Sequence, residues 1–207
     1  MLDRAAELAT IQAEARRCRR CGEAGRIERA NPVFSGRATD RVMLIGQAPG
    51  ALSDDRGIPF GGPAGRVLDE WLTRAGFPPG YLRERVYLTS VTRCFPGKAT
   101  SGSGDRPPSN AERRLCRSFL DAELSLIRPP LVLLVGRLAI DDLIGDLVGR
   151  ASLERVVGRA YESSGTWYLP LPHASGVSRW LNLPENRALV DAALTRLAEL
   201  REELRLA

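Results

Sequence analysis

Lysine and histidine are almost missing from this chain of 207 residues: Lys98 is the sole lysine and His173 the sole histidine. Schiff-base chemistry therefore has one candidate amine, and Lys98 falls in a Gly/Ser/Pro-rich stretch. An imidazole role falls on His173 or on nothing. Long apolar runs are absent too, and none approaches the roughly 20 residues of a membrane span. The opening MLDRAAELATIQAEARR is amphipathic and carries acidic residues, which fits neither a secretory leader nor a transit peptide. No GK[ST] follows the glycine-rich turn, so there is no P-loop. No internal repeat or break in composition divides the chain, and the expectation is one domain over 1–207 with a core that needs no staples.

Arginine is what the chain has instead. The other 29 of its 30 basic residues are Arg, the formal net charge is +5 and the pI about 9.4. Arginine grips phosphate with a planar fork and stacks on bases, which suits a polyanionic partner; a genome that writes Arg for Lys explains the same count. Four cysteines complete the unusual residues: Cys18 and Cys21 in a CxxC, then Cys94 and Cys116. Such spacing fits zinc, an iron–sulfur cluster or two disulfides. The absence of an evident leader points to the reducing cytoplasm, where a metal centre is favoured over disulfides.

Helical spacing predicts a helix over 3–17, with CRRC at its end. Val42 to Ile45 is an apolar run of the kind buried in a parallel sheet. Pro63 and Gly65 open a helix that places Leu68, Trp71, Leu72 and Ala75 together up to Gly76. Val86 to Thr89 is the next strand, and Pro96 to Pro108 a loop. Ser109 with Glu112 three residues on makes a capping box, putting Cys116 two turns into its helix. Leu131 to Val135 is a strand, followed by a helix from about 137 to 147. Trp167 to Leu169 is a weaker strand, and a last helix over about 185–204 aligns Leu189, Ala193, Leu197, Leu200 and Leu204. Strands alternating with helices give an α/β fold with a mainly parallel sheet of about four strands. The loops leaving its strand C-ends then build the site: GQAPG, SVTRC and PHAS.

Gly46-Gln47-Ala48-Pro49-Gly50 leaves the first strand as a tight turn, and the chain passes Asp54, Asp55 and Gly57 to reach PFGGPAG, whose Gly65 lies at a helix N-terminus, a natural anion site. The CxxC, GQAPG, Asp54, PFGGPAG, SVTRC ending at Cys94, GDRPPS leading to Cys116 and a terminal PHASG follow one another in the order of the iron–sulfur (family 4) uracil-DNA glycosylases. The chain resembles that family from about Cys18 to Asn182. The resemblance implies a three-layer α/β/α sandwich and a 4Fe–4S cluster on Cys18, Cys21, Cys94 and Cys116.

It also implies roles. Phe60 matches the aromatic that stacks on the flipped uracil, and His173 the histidine that donates toward uracil O2. Gln47 stands where the family has Glu, within the substrate-binding turn Gly46 to Gly50. Asp54 or Asp55 is the candidate to polarise the attacking water, since Ser53 replaces a family Glu. Gly65, Ser175 and Arg179 are the expected DNA contacts. Arg179 and Trp180 occupy the segment that enters the duplex in relatives, although a Trp there suits packing on the final helix equally. Ser90 is the departure: the family carries Asn there, whose amide matches uracil with both donor and acceptor, where Ser has only a hydroxyl. The expected activity is that of a monofunctional, cytoplasmic and monomeric glycosylase acting on DNA that contains uracil or another deaminated base. Two other readings stay open: a non-catalytic four-cysteine nucleic-acid-binding module, and a zinc protein acting on another base or nucleotide.

Overall fold

The computed structural model describes residues 3–100, 104–174 and 179–206. Its centre is a five-stranded sheet in the order β2-β1-β3-β5-β4. The strands are β1 (Val42–Gly46), β2 (Val86–Ser90), β3 (Leu131–Val135), β4 (Tyr161–Ser163) and β5 (Thr166–Leu171). β1 pairs in parallel with β2 and β3, and β3 with β5. β4, which the sequence reading did not separate, returns antiparallel on β5 through Ser164-Gly165, both at positive φ. A three-residue edge strand, half-exposed, leaves too short an apolar pattern to be read.

Every residue of β1, β2 and β3 is buried, because helices cover both faces of the sheet. Val42, Leu44, Leu131 and Leu133 point toward α4 (Pro63–Arg74) and α9 (Pro184–Glu203). Met43, Ile45, Val132 and Leu134 point the other way, toward α1 (Arg4–Arg17), α6 (Asn110–Ile127) and α7 (Arg137–Val148). Alternate residues of each strand thus feed two cores, and the layers are α/β/α. Short helices α2 (Arg20–Glu23), α5 (Tyr81–Glu84) and α8 (Leu153–Val156) fill the connections. The expected stripe of α9 faces the core, with Ala193, Leu197 and Leu200 buried and Leu189 and Leu204 packed at its margin, and it widens to include Val190 and Leu194.

Two local features position the site. Asp54 and Asp55 lie in α3 (Ala51–Arg56), a short helix where the sequence suggested a loop. Gly50 caps it, and the Asp105 carboxylate accepts from Ala51 N–H at 3.2 Å, so its first turn is closed by a side chain from the GDRPPS segment. The segment after the CxxC runs along β2, the edge strand. Ser35 exchanges backbone hydrogen bonds with Leu88 at 2.7 and 2.9 Å, and Val33 N–H donates to Arg93 at 2.7 Å. Gly36 has to be glycine, since a Cβ there would fall 2.3 Å from the Tyr87 ring.

Candidate functional site

The C-terminal ends of β1 and β2 lie level, Gly46 beside Ser90. Phe60 closes over them: a Cβ on Gly46 would fall 2.8 Å from the Phe60 ring and 3.4 Å from Ser90 Oγ. The aromatic ring therefore rests on the bare end of β1, and Ser90 forms its neighbour on the pocket floor. Phe60 reaches this place with φ at 52°, a left-handed backbone that non-glycine residues seldom adopt. Arg83 holds it there. Its guanidinium donates to the carbonyls of Pro59 and, at 2.6 Å, Phe60. Gly65 makes the room, because a Cβ would lie 2.0 Å from the Phe60 oxygen.

This changes the reading of Gly65. Its N–H donates to Gly62 within the turn and the residue is buried, so it serves the backbone of Phe60 and offers no anion site to solvent.

The GQAPG turn is tied to the chain beyond β2, with Gly46 and Gln47 carbonyls accepting from Val91 and Thr92 at 2.9 and 3.3 Å. Gln47, Ala48 and Gly50 are half-buried and Pro49 is buried. Of the two acidic candidates, Asp55 is exposed and Asp54 is buried, 8% accessible. Asp54 Oδ2 accepts from Arg29 at 2.5 Å, while Oδ1 is buried with no hydrogen-bond partner among the described residues. The Asp54 carbonyl accepts from Asn31 Nδ2 at 2.7 Å. Ser53, at the position of the family Glu, accepts from Gly61 N–H at 3.0 Å and ties α3 to the Phe60 loop.

His173 follows β5 at the same end of the sheet. A Cβ on Gly136, just past β3, would meet its ring at 3.5 Å. Two strand spacings separate β5 from β1, which puts about 10 Å between the His173 and Gly46 sides of the site. The imidazole surface is exposed, yet protein atoms crowd it on the inner side, and this desolvation lowers its pKa from 6.5. Ser175 lies outside the described residues, as does the side chain of Arg179. The half-buried ring of Trp180 lies against the core, and its indole N–H donates to Glu154 at 2.6 Å.

The four cysteines are free thiols that line one pocket beyond the end of β2, walled by Ala15, Ile27, Pro32 and Phe119. Cys18 caps α1, Cys21 lies in α2, Cys94 follows β2 and Cys116 is in α6. Burial and then the neighbouring Cys116 push Cys21 up to about 11 and Cys94 up to about 12, with Asn31 N–H donating to Cys94. Such mutual repulsion of thiolates is relieved by a cation in their midst. Among the described residues no three His, Cys, Asp or Glu side chains converge on a point that would hold a single ion.

Sequence reasoning passed over Arg29, Asn31, Arg83, Arg93, Asp105 and Glu123. For Arg93 and Glu123 a signal existed: Arg93 precedes Cys94, and Glu123 lies two helical turns after Cys116 on one face of α6. Arg29, Asn31 and Arg83 carried none, being polar residues in connecting segments.

A family model described as the uracil DNA glycosylase superfamily matches residues 34–198. Curated relatives include a Type-4 uracil-DNA glycosylase of Pyrobaculum aerophilum, 32% identical over 58% of this chain and 57% of that protein. One of Archaeoglobus fulgidus is 33% identical over 61% and 59%. One of Thermotoga maritima is 29% identical over 74% of each. The alignment thus spans under two thirds of the length of the first two relatives and about three quarters of the third. With its sheet order, its floor of Gly46, Phe60 and Ser90 and a family match over most of its length, the chain belongs to the uracil DNA glycosylase superfamily.

Proposed function

We propose that the protein is a monofunctional glycosylase that hydrolyses the N-glycosidic bond of uracil, or another deaminated base, in DNA and leaves an abasic site for base excision repair. The observation that carries this reading is the Phe60 ring seated on Gly46 against Ser90, a flat apolar wall at the strand ends where a flipped base stacks. Flipping costs a few kcal/mol, least for a mismatched or single-stranded base. Ser90 and Gln47 then meet the base edge. As the bond breaks, charge moves onto the leaving base, and His173 with backbone N–H groups of the GQAPG turn stabilises that anion. A neutral imidazole donates the required hydrogen bond, which agrees with the lowered pKa of His173. Asp54, whose buried Oδ1 lacks a partner among the described residues, orients the attacking water while Arg29 fixes its other oxygen. Asp55, being exposed, is left to the DNA side of α3. Lys98 pairs with Asp105 at 2.7 Å, so no amine is offered for a lyase step.

The cofactor reading is a 4Fe–4S cluster on Cys18, Cys21, Cys94 and Cys116. The donor set fits: four free thiols share one pocket, yet do not converge as a single tetrahedral ion requires. A cubane gives each thiolate its own iron and accepts wider spacing. When bound, the cluster crosslinks four chain segments and supplies no step of the hydrolysis. Thiolate ligands favour a reducing compartment, which supports the cytoplasm as the reading for location.

The test is incubation with labelled oligonucleotides bearing uracil, hypoxanthine or xanthine, single- and double-stranded, followed by alkaline scission. Uracil strands cleave, with a weaker preference over the other bases than an Asn reader gives, by roughly 1–3 kcal/mol. Binding without scission of any of them would overturn the enzymatic reading in favour of a binding module. About four irons with acid-labile sulfide per chain is the cofactor expectation, and stoichiometric zinc the contrary result.

A further inference from the structure

The least economical feature of the core is a buried ion pair with no part in excision. Arg93 and Glu123 are 1% and 0% exposed, and Arg93 Nη2 donates to Glu123 Oε2. Burying such a pair costs several kcal/mol per ion before its attraction is counted, and apolar residues of similar size often serve stability as well. The pair calls for another reason.

Its surroundings provide one. The Arg93 guanidinium lies 5.6 Å from the ring centroids of both Phe34 and Phe119, which fix its orientation. Its Nη1 is aimed at Cys116 Sγ at 3.8 Å. Arg16 stands over the same Phe34 ring and Arg20 over the same Phe119 ring, each at 5.0 Å. Arg93 and Phe119 line the pocket of four thiols, and Arg16 and Arg20 stack on the two rings. The one carboxylate in that lining, Glu112, is already paired with Arg106. Four thiolates and a 4Fe–4S core at the 2+ level together carry a charge of about −2. Arg93 has the sign that such an occupant demands.

We propose that Arg93 is a positioning residue of the metal centre: locked between Phe34 and Phe119, it donates to the Cys116 thiolate, and Glu123 sets how much of its positive charge the centre feels. This rests on the reading that the four cysteines hold an iron–sulfur cluster. A hydrogen bond and a cation at a ligand sulfur withdraw charge from the iron and raise the reduction potential of its one-electron couple. Glu123, on the far side of the guanidinium, opposes that effect.

The two partners consequently pull in opposite directions, and this is the test. Purified holoprotein is first assayed for iron and sulfide; zinc or no iron there ends the cofactor reading itself. With the cluster in place, the Glu123→Gln protein is expected to show a higher midpoint potential than the parent in a mediated redox titration. The paired replacement Arg93→Met with Glu123→Leu removes both charges and keeps the core apolar, and is expected to show a lower one. Its resonance Raman spectrum should carry an Fe–S(Cys) stretch at higher frequency, since the N–H···S bond is gone. Potentials that move in the same direction in both proteins, or stay put in both, mark the pair as packing alone and overturn the proposal. Should the double variant fail to fold, the sign for Glu123→Gln decides the matter: an unchanged or lower potential overturns it.

Discussion

Two regions at the same end of one sheet, the cysteine pocket and the Phe60 loop over Gly46, are made by opposite means. The cysteine pocket is made by filling: a buried guanidinium, two aromatic rings and the carboxylate that pairs with it. The Phe60 region is made by omission. Gly46 and Gly65 supply missing side chains, and Phe60 enters the space on a left-handed backbone that Arg83 and Ser53 help to hold. A permanent occupant allows a site to be closed around it. A substrate that must enter and leave requires a site held open, and the cost appears as local strain. The two regions meet at Asn31, whose backbone N–H points at Cys94 and whose side chain holds the Asp54 carbonyl.

The sharpest way to break this contrast is Cys94→Ser. If the cysteine pocket is structural, the variant loses its iron and several kcal/mol of stability, lowering Tm by about 10 °C or more as read by calorimetry. Retained Tm with lost activity would make that pocket catalytic instead.

His173→Ala addresses the other region. Single-turnover excision is expected to fall by about 10²–10³-fold, with duplex affinity and Tm unchanged. Burial lowers the His173 pKa from 6.5, so the ring is neutral at pH 7, and the rate should hold as pH rises from there to about 8.5. A rate that drops with loss of a proton in that range would require an imidazolium.

Arg83→Ala probes the strain. Excision should weaken about tenfold, roughly 1.4 kcal/mol, and the same change made in a Phe60→Ala background should cost nothing further. Additive losses would show that Arg83 acts elsewhere.

The remaining test lies at Glu112, at the start of α6. Its carboxylate is buried, which pushes its pKa up, but the two-pronged bond from Arg106 and the Ser109 N–H hold it down at about 2 against 4.5 unperturbed. A depressed carboxylate stabilises the fold above 4.5 and loses that contribution as pH falls toward 2. Glu112→Gln should thus cost about 2 kcal/mol in urea unfolding at neutral pH, a gap that narrows on acidification below 4.5. A gap independent of pH would assign the loss to the cap alone.

The inner strands were legible because they are buried on both faces and so read as unbroken apolar runs, as Val42 to Ile45 does. The Ser109/Glu112 box was legible because a cap is a local event, and both of its hydrogen bonds are present. The candidate site residues in the glycine-rich loops were named from their order along the chain, and the fold brings Gly46, Phe60 and Ser90 together. What stayed hidden depends on distant segments. Arg83 meets Phe60 across 23 residues, Arg29 meets Asp54 across 25, and Arg93 meets Glu123 across 30. An arginine in such a chain reads as solvated surface until the fold brings its partner. α3 was hidden for a different reason: its cap comes from Asp105, 54 residues from the N–H it accepts from.

The short pairing of Val33 and Ser35 with Arg93 and Leu88 bears on the protein as it would be without the proposed cluster. β2 ends the sheet, and this segment, leading from Cys21, is what covers its backbone edge. Without a cluster to anchor Cys18 and Cys21, the cover is tethered by few bonds, and its release bares a row of N–H and C=O groups beside Val86, Tyr87 and Leu88. A bare strand edge is a template for a second chain. On the proposed cluster reading, loading would guard solubility as well as shape, because joining a neighbour would compete with it.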